Sequence, residues 1–105
     1  MKTNVVELSA QALATVGNLG AVGLKAIEYQ LAVEARKQSA FEFGLACETW
    51  KAQQGIDFIP KNSPEWDQML HGLPQLVRDK LWRAKADEKN ARARLFRACL
   101  KARTA

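Results

Sequence analysis

The chain has 105 residues, 48% hydrophobic and 26% charged, and its 16 Lys and Arg against 11 Asp and Glu leave a formal charge of +5. A chain of this size buries roughly 60–68% of its unfolded surface, enough for one small core without disulfides or metal, and its apolar content excludes a wholly disordered chain. These numbers contain no reaction, and they favour binding over catalysis.

Met1, Lys2 and Glu7 precede the first apolar stretch, which lacks the basic start and compact Leu-rich run of an export signal, so a cytoplasmic location is expected. Residues 8–24 carry no charge, but Ser9, Gln11, Thr15, Asn18 and three glycines leave the run short of the ~20 apolar residues that cross a bilayer. No membrane partner is expected.

Over residues 5–37, apolar side chains recur at helical steps in two sets. One holds Leu8, Ala12, Leu19, Val22, Ala26, Tyr29 and Val33; the other holds Leu13, Val16, Leu24, Ile27 and Leu31. Together they predict a wide buried stripe. Gly17, Gly20 and Gly23 each disfavour helix by up to ~1 kcal/mol relative to Ala, so a kinked helix or a Gly-interrupted helical hairpin is expected. Gly20 and Gly23 lie beside Val16 and Ile27, where absent side chains invite a close neighbouring backbone. Their spacing is not that of a dinucleotide-binding loop, and no strand precedes them.

Ser39-Ala40-Phe41-Glu42 has capping-box spacing and predicts a second helix over 39–54, carrying Phe41, Leu45, Cys47 and Trp50 and stopped by Gly55. Residues 55–62 read as a connector pinned to the core by Phe58, with Pro60 disfavouring helix at Ile59. Ser63-Pro64-Glu65 is helix-start chemistry: an N-cap hydroxyl, a proline where no amide is needed, and an acid at the positive end of the dipole. A short helix over 63–72 and a long basic one over 74–102 follow. The expected fold is all-α, a single helical domain over 1–105 built as a small bundle of four or five helices.

The positive charge is concentrated near the end of the chain. Residues 61–105 hold eleven basic and five acidic side chains, a balance of +6, while residues 1–60 hold five and six. In the last helix Val77, Leu81, Ala84, Ala91, Leu95, Cys99 and Ala102 form a core stripe. Opposite it runs a thinner line of Trp82, Ala86, Ala93, Phe96 and Leu100, flanked by Arg78, Lys85, Lys89 and Arg92 on one side and Arg83, Arg94, Arg97 and Lys101 on the other. Aromatic and Arg side chains together are what interface hot spots favour. The candidate partner-binding residues are Trp82, Arg83, Lys85, Lys89, Arg92, Phe96, Arg97 and Leu100. The competing expectation is that an N-terminal helix pair covers Trp82 and Phe96.

Catalysis is not expected. A Ser or Cys nucleophile needs a base, and His71, the only histidine, sits at a helix end where an imidazole caps or is simply exposed. Asp79 with Arg83 and Glu88 with Arg92 read as surface ion pairs, and Glu42 and Glu48 share no three- or four-residue step. One histidine and two distant cysteines make no tetrahedral metal set, and neither metal nor cofactor is expected. Cys47 and Cys99 read as reduced, partly buried thiols, although spacing alone allows a disulfide. What remains is a non-enzymatic adaptor or inhibitor that binds an acidic protein surface, of a size and composition common among phage and mobile-element host modulators. Self-association through the same line, giving a homodimer, is its nearest variant. Nucleic acid is the alternative partner, weakened by Asp79, Asp87 and Glu88 on the same helix.

Overall fold

A computed structural model describes the backbone of residues 2–104 and the side chains of residues 12–103. The described residues form three helices, α1 (Lys2–Gln54), α2 (Pro64–Gly72) and α3 (Gln75–Thr104), and no strand. The all-α class is as expected. The bundle of four or five helices is not, because residues 5–37 and 39–54 form one helix of 53 residues.

Two local signals were overridden. Gly17, Gly20 and Gly23 weaken a helix but keep their amide donors, unlike proline, so the hydrogen-bonded ladder runs through them. A capping box satisfies amides left over at a helix start; inside a continuous helix those amides already bond four residues back, so Ser39 and Glu42 have nothing to cap. Ser39 is instead buried within α1. The Glu42 carboxylate accepts from Lys80 Nζ at 2.8 Å and Gln38 Nε2 at 3.3 Å. These bonds hold its pKa below the usual value, the Lys80 bond most.

The chain forms two compact units, Val33–Asp87 on one hand and Met1–Ala32 with Glu88–Ala105 on the other. The Val33–Asp87 unit has a core of Cys47, Ile59, Met69 and Leu73, with Phe43, Ala46, Trp50, Ile56, Trp66 and Leu70 packed around it. Met69 is its most deeply buried side chain, 1% exposed. On α3, Leu81 and Ala84 of the expected core stripe are also buried.

The turns of this unit follow sequence chemistry closely. At Gly55, φ is +68°, and the Gly55 and Ile56 amides donate to Ala52 O at 3.2 Å and Lys51 O at 2.9 Å. That is the left-handed helix stop which glycine adopts at least cost. Asn62 (φ +65°) closes the next turn, in which the Ser63 amide donates to Pro60 O at 3.2 Å. Ser63 Oγ then accepts from the Trp66 amide at 3.2 Å as the N-cap of α2. In the connector, Phe58 is not the pin: it is 76% exposed, and Ile59 is buried in its place. Glycine at 72 serves close packing, since a Cβ there would overlap the Trp50 indole at Nε1 and lie 3.1 Å from its Cδ1. Gly72→Ala should therefore displace Trp50 and cost about 1–3 kcal/mol in urea unfolding.

Both cysteines are free. Cys47 is buried, and that burial pushes its thiol pKa up, whereas Cys99 is half-buried. Thiolate and access together set reactivity, so a thiol-titrating disulfide reagent should modify Cys99 in the folded protein and Cys47 only on unfolding.

In the other unit, half-buried positions recur at steps of three and four on both helices. They are Asn18, Val22, Lys25, Tyr29 and Ala32 on α1, and Glu88, Leu95, Cys99 and Ala102 on α3 with Ala91 fully buried. Each stretch thus covers one face. The wide buried stripe expected over 5–37 is only half realised. Val22 and Tyr29 are covered, but Leu13, Val16, Leu19, Leu24, Ile27 and Leu31 are exposed, and a Cβ at Gly17, Gly20 or Gly23 would meet nothing within 4 Å. Covering the second face would need the additional helices that this fold lacks. The expectation for the Leu8 side chain lies outside the described residues.

Candidate functional site

A concave feature that gathers aromatic and cationic side chains lies in the Val33–Asp87 unit. It is a cleft of about 440 Å³ lined by Ala40 and Phe43 from α1, Lys61 from the connector, Trp66 and Leu70 from α2, and Leu81, Trp82 and Lys85 from α3. That volume falls within the range of about 300–1,000 Å³ typical of ligand pockets. The connector, α2 and α3 converge on α1 because each has one side committed to the core. Ile59 anchors the connector beside Lys61, Met69 and Leu73 fix α2, and Leu81 fixes α3 one residue before Trp82.

Trp82 is held edge-on against Phe43, with ring centroids 6.2 Å apart and planes at 78°. Such a pair contributes about 0.5–1.5 kcal/mol beyond area burial, which orients the indole without hiding it. Trp82 remains 55% exposed. The Lys80–Glu42 pair lies nearby in sequence and ties α3 to α1 within the same unit. A wall of two indoles and a phenyl ring, with ammonium groups at Lys61 and Lys85, can accept an apolar side chain whose neighbours carry negative charge.

Of the residues proposed from the sequence, Trp82 and Lys85 line this cleft, and Arg83 is exposed on α3 outside its lining. Lys89, Arg92, Phe96, Arg97 and Leu100 belong to the other unit, where all five are exposed, Phe96 by 65%. Phe96 is therefore largely open to solvent, while Trp82 is covered on one edge by Phe43 of α1 and open on the rest. Phe43, Lys61, Trp66 and Leu70 are the cleft residues that sequence reasoning missed. Periodicity within a single helix has no means of bringing 43, 61, 66 and 82 together. The available signal was compositional, because all three tryptophans fall between residues 50 and 82.

His71 Nδ1 donates to Asp67 O at 2.7 Å, closing the end of α2 on itself. Among the described residues no three His, Cys, Asp or Glu side chains gather as a metal set, and no helix is long and apolar enough to cross a membrane. No protein-family model, curated protein or solved structure matches the chain.

Proposed function

We propose that the protein is a non-enzymatic interaction module, an adaptor or inhibitor, that binds an acidic protein surface through α3, with the Trp82 cleft as its anchor. The observation that supports this reading most directly is the half-open Trp82 indole beside Phe43 and Trp66, with Lys61 and Lys85 on the same cleft. An apolar partner side chain enters against the rings and loses its water there. Partner carboxylates beside it meet Lys61 and Lys85, and Arg83 adds a forked donor on the exposed side of α3. The protein then acts by occupying or bridging that partner.

The test is affinity capture from cell lysate followed by mass spectrometry, run in parallel with wild type and Trp82→Ala. A specific band lost in Trp82→Ala, with the variant still folded, supports the reading. Retention on duplex DNA or RNA that survives Trp82→Ala but collapses on charge reversal of Arg92 and Arg97 replaces it with the nucleic-acid reading.

A further inference from the structure

Near the start of α3 stands a cation that the Val33–Asp87 unit leaves without a counterpart. Arg78 is half-buried, its Nε is shielded from solvent, and that Nε finds no hydrogen-bond acceptor among the described residues. Donors in this state are rare in folded proteins, because each has given up its bonds to water for nothing, and a charged group gives up most. A carboxylate from α1 does reach this stretch of α3, but Glu42 is taken by Lys80 at 2.8 Å. Among the described residues that line the Trp82 cleft, none is acidic.

Arg78 stands four residues before Trp82 and Lys85 three after it, so the three share one side of α3. The helical rise sets the backbone of Arg78 about 6 Å to one side of Trp82 and that of Lys85 about 4.5 Å to the other. We propose that Arg78 clamps a carboxylate of the partner, and that the partner presents an extended segment in which an apolar residue has an acid two residues away on each side. This rests on the reading of the cleft as a protein-binding anchor and adds to it what the partner must carry. Nε and one terminal nitrogen of a guanidinium form the parallel donor pair that a carboxylate accepts. A carboxylate there supplies the acceptor that Nε lacks, and the donor's own desolvation has already been met on folding. In an extended chain alternate side chains project to one side at about 6.6 Å, within reach of both cations once the apolar residue sits against Trp82. An acid directly beside the apolar residue projects away from α3 instead.

Two capped peptides of equal composition and charge separate spacing from charge: acetyl-Glu-Ala-Phe-Ala-Glu-amide and acetyl-Ala-Glu-Phe-Glu-Ala-amide, titrated into the full chain and followed by proton–nitrogen NMR. The first should bind about fivefold more tightly or better, moving the Arg78 Nε–H and Trp82 indole signals along one saturation curve. Arg78→Lys keeps the charge but loses the fork, and should weaken that binding by about fivefold or more. Arg78→Met removes the stranded donor, so binding should fall as far while the urea midpoint holds or rises. Equal affinity for the two peptides, binding of neither, wild-type affinity in Arg78→Lys, or a lower midpoint in Arg78→Met overturns the proposal. The cleft reading fails separately. A lysate partner lost in Trp82→Ala but kept in Arg78→Lys removes the clamp and leaves the anchor, whereas one kept in both removes the anchor as well.

Discussion

Met69→Ala removes about 2–5 kcal/mol from the stability of the Val33–Asp87 unit, a large share of the roughly 5–15 kcal/mol that holds a small domain folded. Met69 is the side chain against which the other core members close: Cys47 from α1, Ile59 from the connector and Leu73 from the end of α2. Truncation leaves a cavity whose walls belong to three segments, each tied at its ends by Gly55, Ser63 or the Leu73 amide bond to Met69 O at 3.0 Å. Walls fixed that way relax little, so the loss should fall in the upper half of the range. The three tryptophans all lie in this unit, so urea titration followed by tryptophan fluorescence reads its unfolding directly. A loss below about 1 kcal/mol would mean that the core collapses around the gap.

Trp82→Ala should behave differently in the same titration. A buried tryptophan costs about 3–5 kcal/mol to truncate, but this one is half in solvent and loses mainly the edge contact with Phe43. The indole can therefore be removed with the fold kept, which lets a binding defect be separated from a folding one.

The boundaries marked by chemistry were legible in the sequence. Gly55, Ser63-Pro64 and Gly72-Leu73-Pro74 punctuate the chain where α1 stops, α2 starts and α2 gives way to α3, because a positive φ, an unpaired amide and a missing amide donor are each local requirements. The register of α3 was legible for the same reason: Leu81, Ala84 and Ala91 are buried and Trp82 and Phe96 are not. The division of residues 5–54 into separate helices failed, because Ser-x-x-Glu and three glycines permit a break without requiring one. The second apolar set of α1 was assigned to the core for lack of any local mark that separates a face buried within one chain from one left open. Phe58 misled similarly, since the larger of two neighbouring apolar side chains took the solvent side. The cleft was half legible. Trp82 and Lys85 stand on the helix whose pattern was read, while Phe43, Lys61 and Trp66 reach it through tertiary packing.

Trp82→Ala is expected to weaken partner binding by about 30-fold or more, the 2 kcal/mol or greater effect of a hot-spot aromatic in a desolvated pocket. Lys61→Glu with Lys85→Glu should weaken it further, because a reversed charge both removes an attraction and places repulsion beside the partner carboxylates. The two effects have different signatures. Loss of the indole acts through burial and should appear mostly as faster dissociation, with little dependence on salt. Charge reversal acts through steering and should slow association, an effect that shrinks as ionic strength rises and the Debye length falls below about 8 Å. Surface-immobilised partner, measured against each variant across a salt series, reads both. If the indole truncation leaves dissociation unchanged while every effect follows salt, the anchor assignment fails and binding rests on charge alone. That pattern is expected of a phosphate backbone, whose affinity falls log-linearly with salt in proportion to the cations engaged. The cleft was assigned to a protein partner because a cation line needs no aromatic pocket, and the indole's share of the dissociation rate measures how far that argument holds.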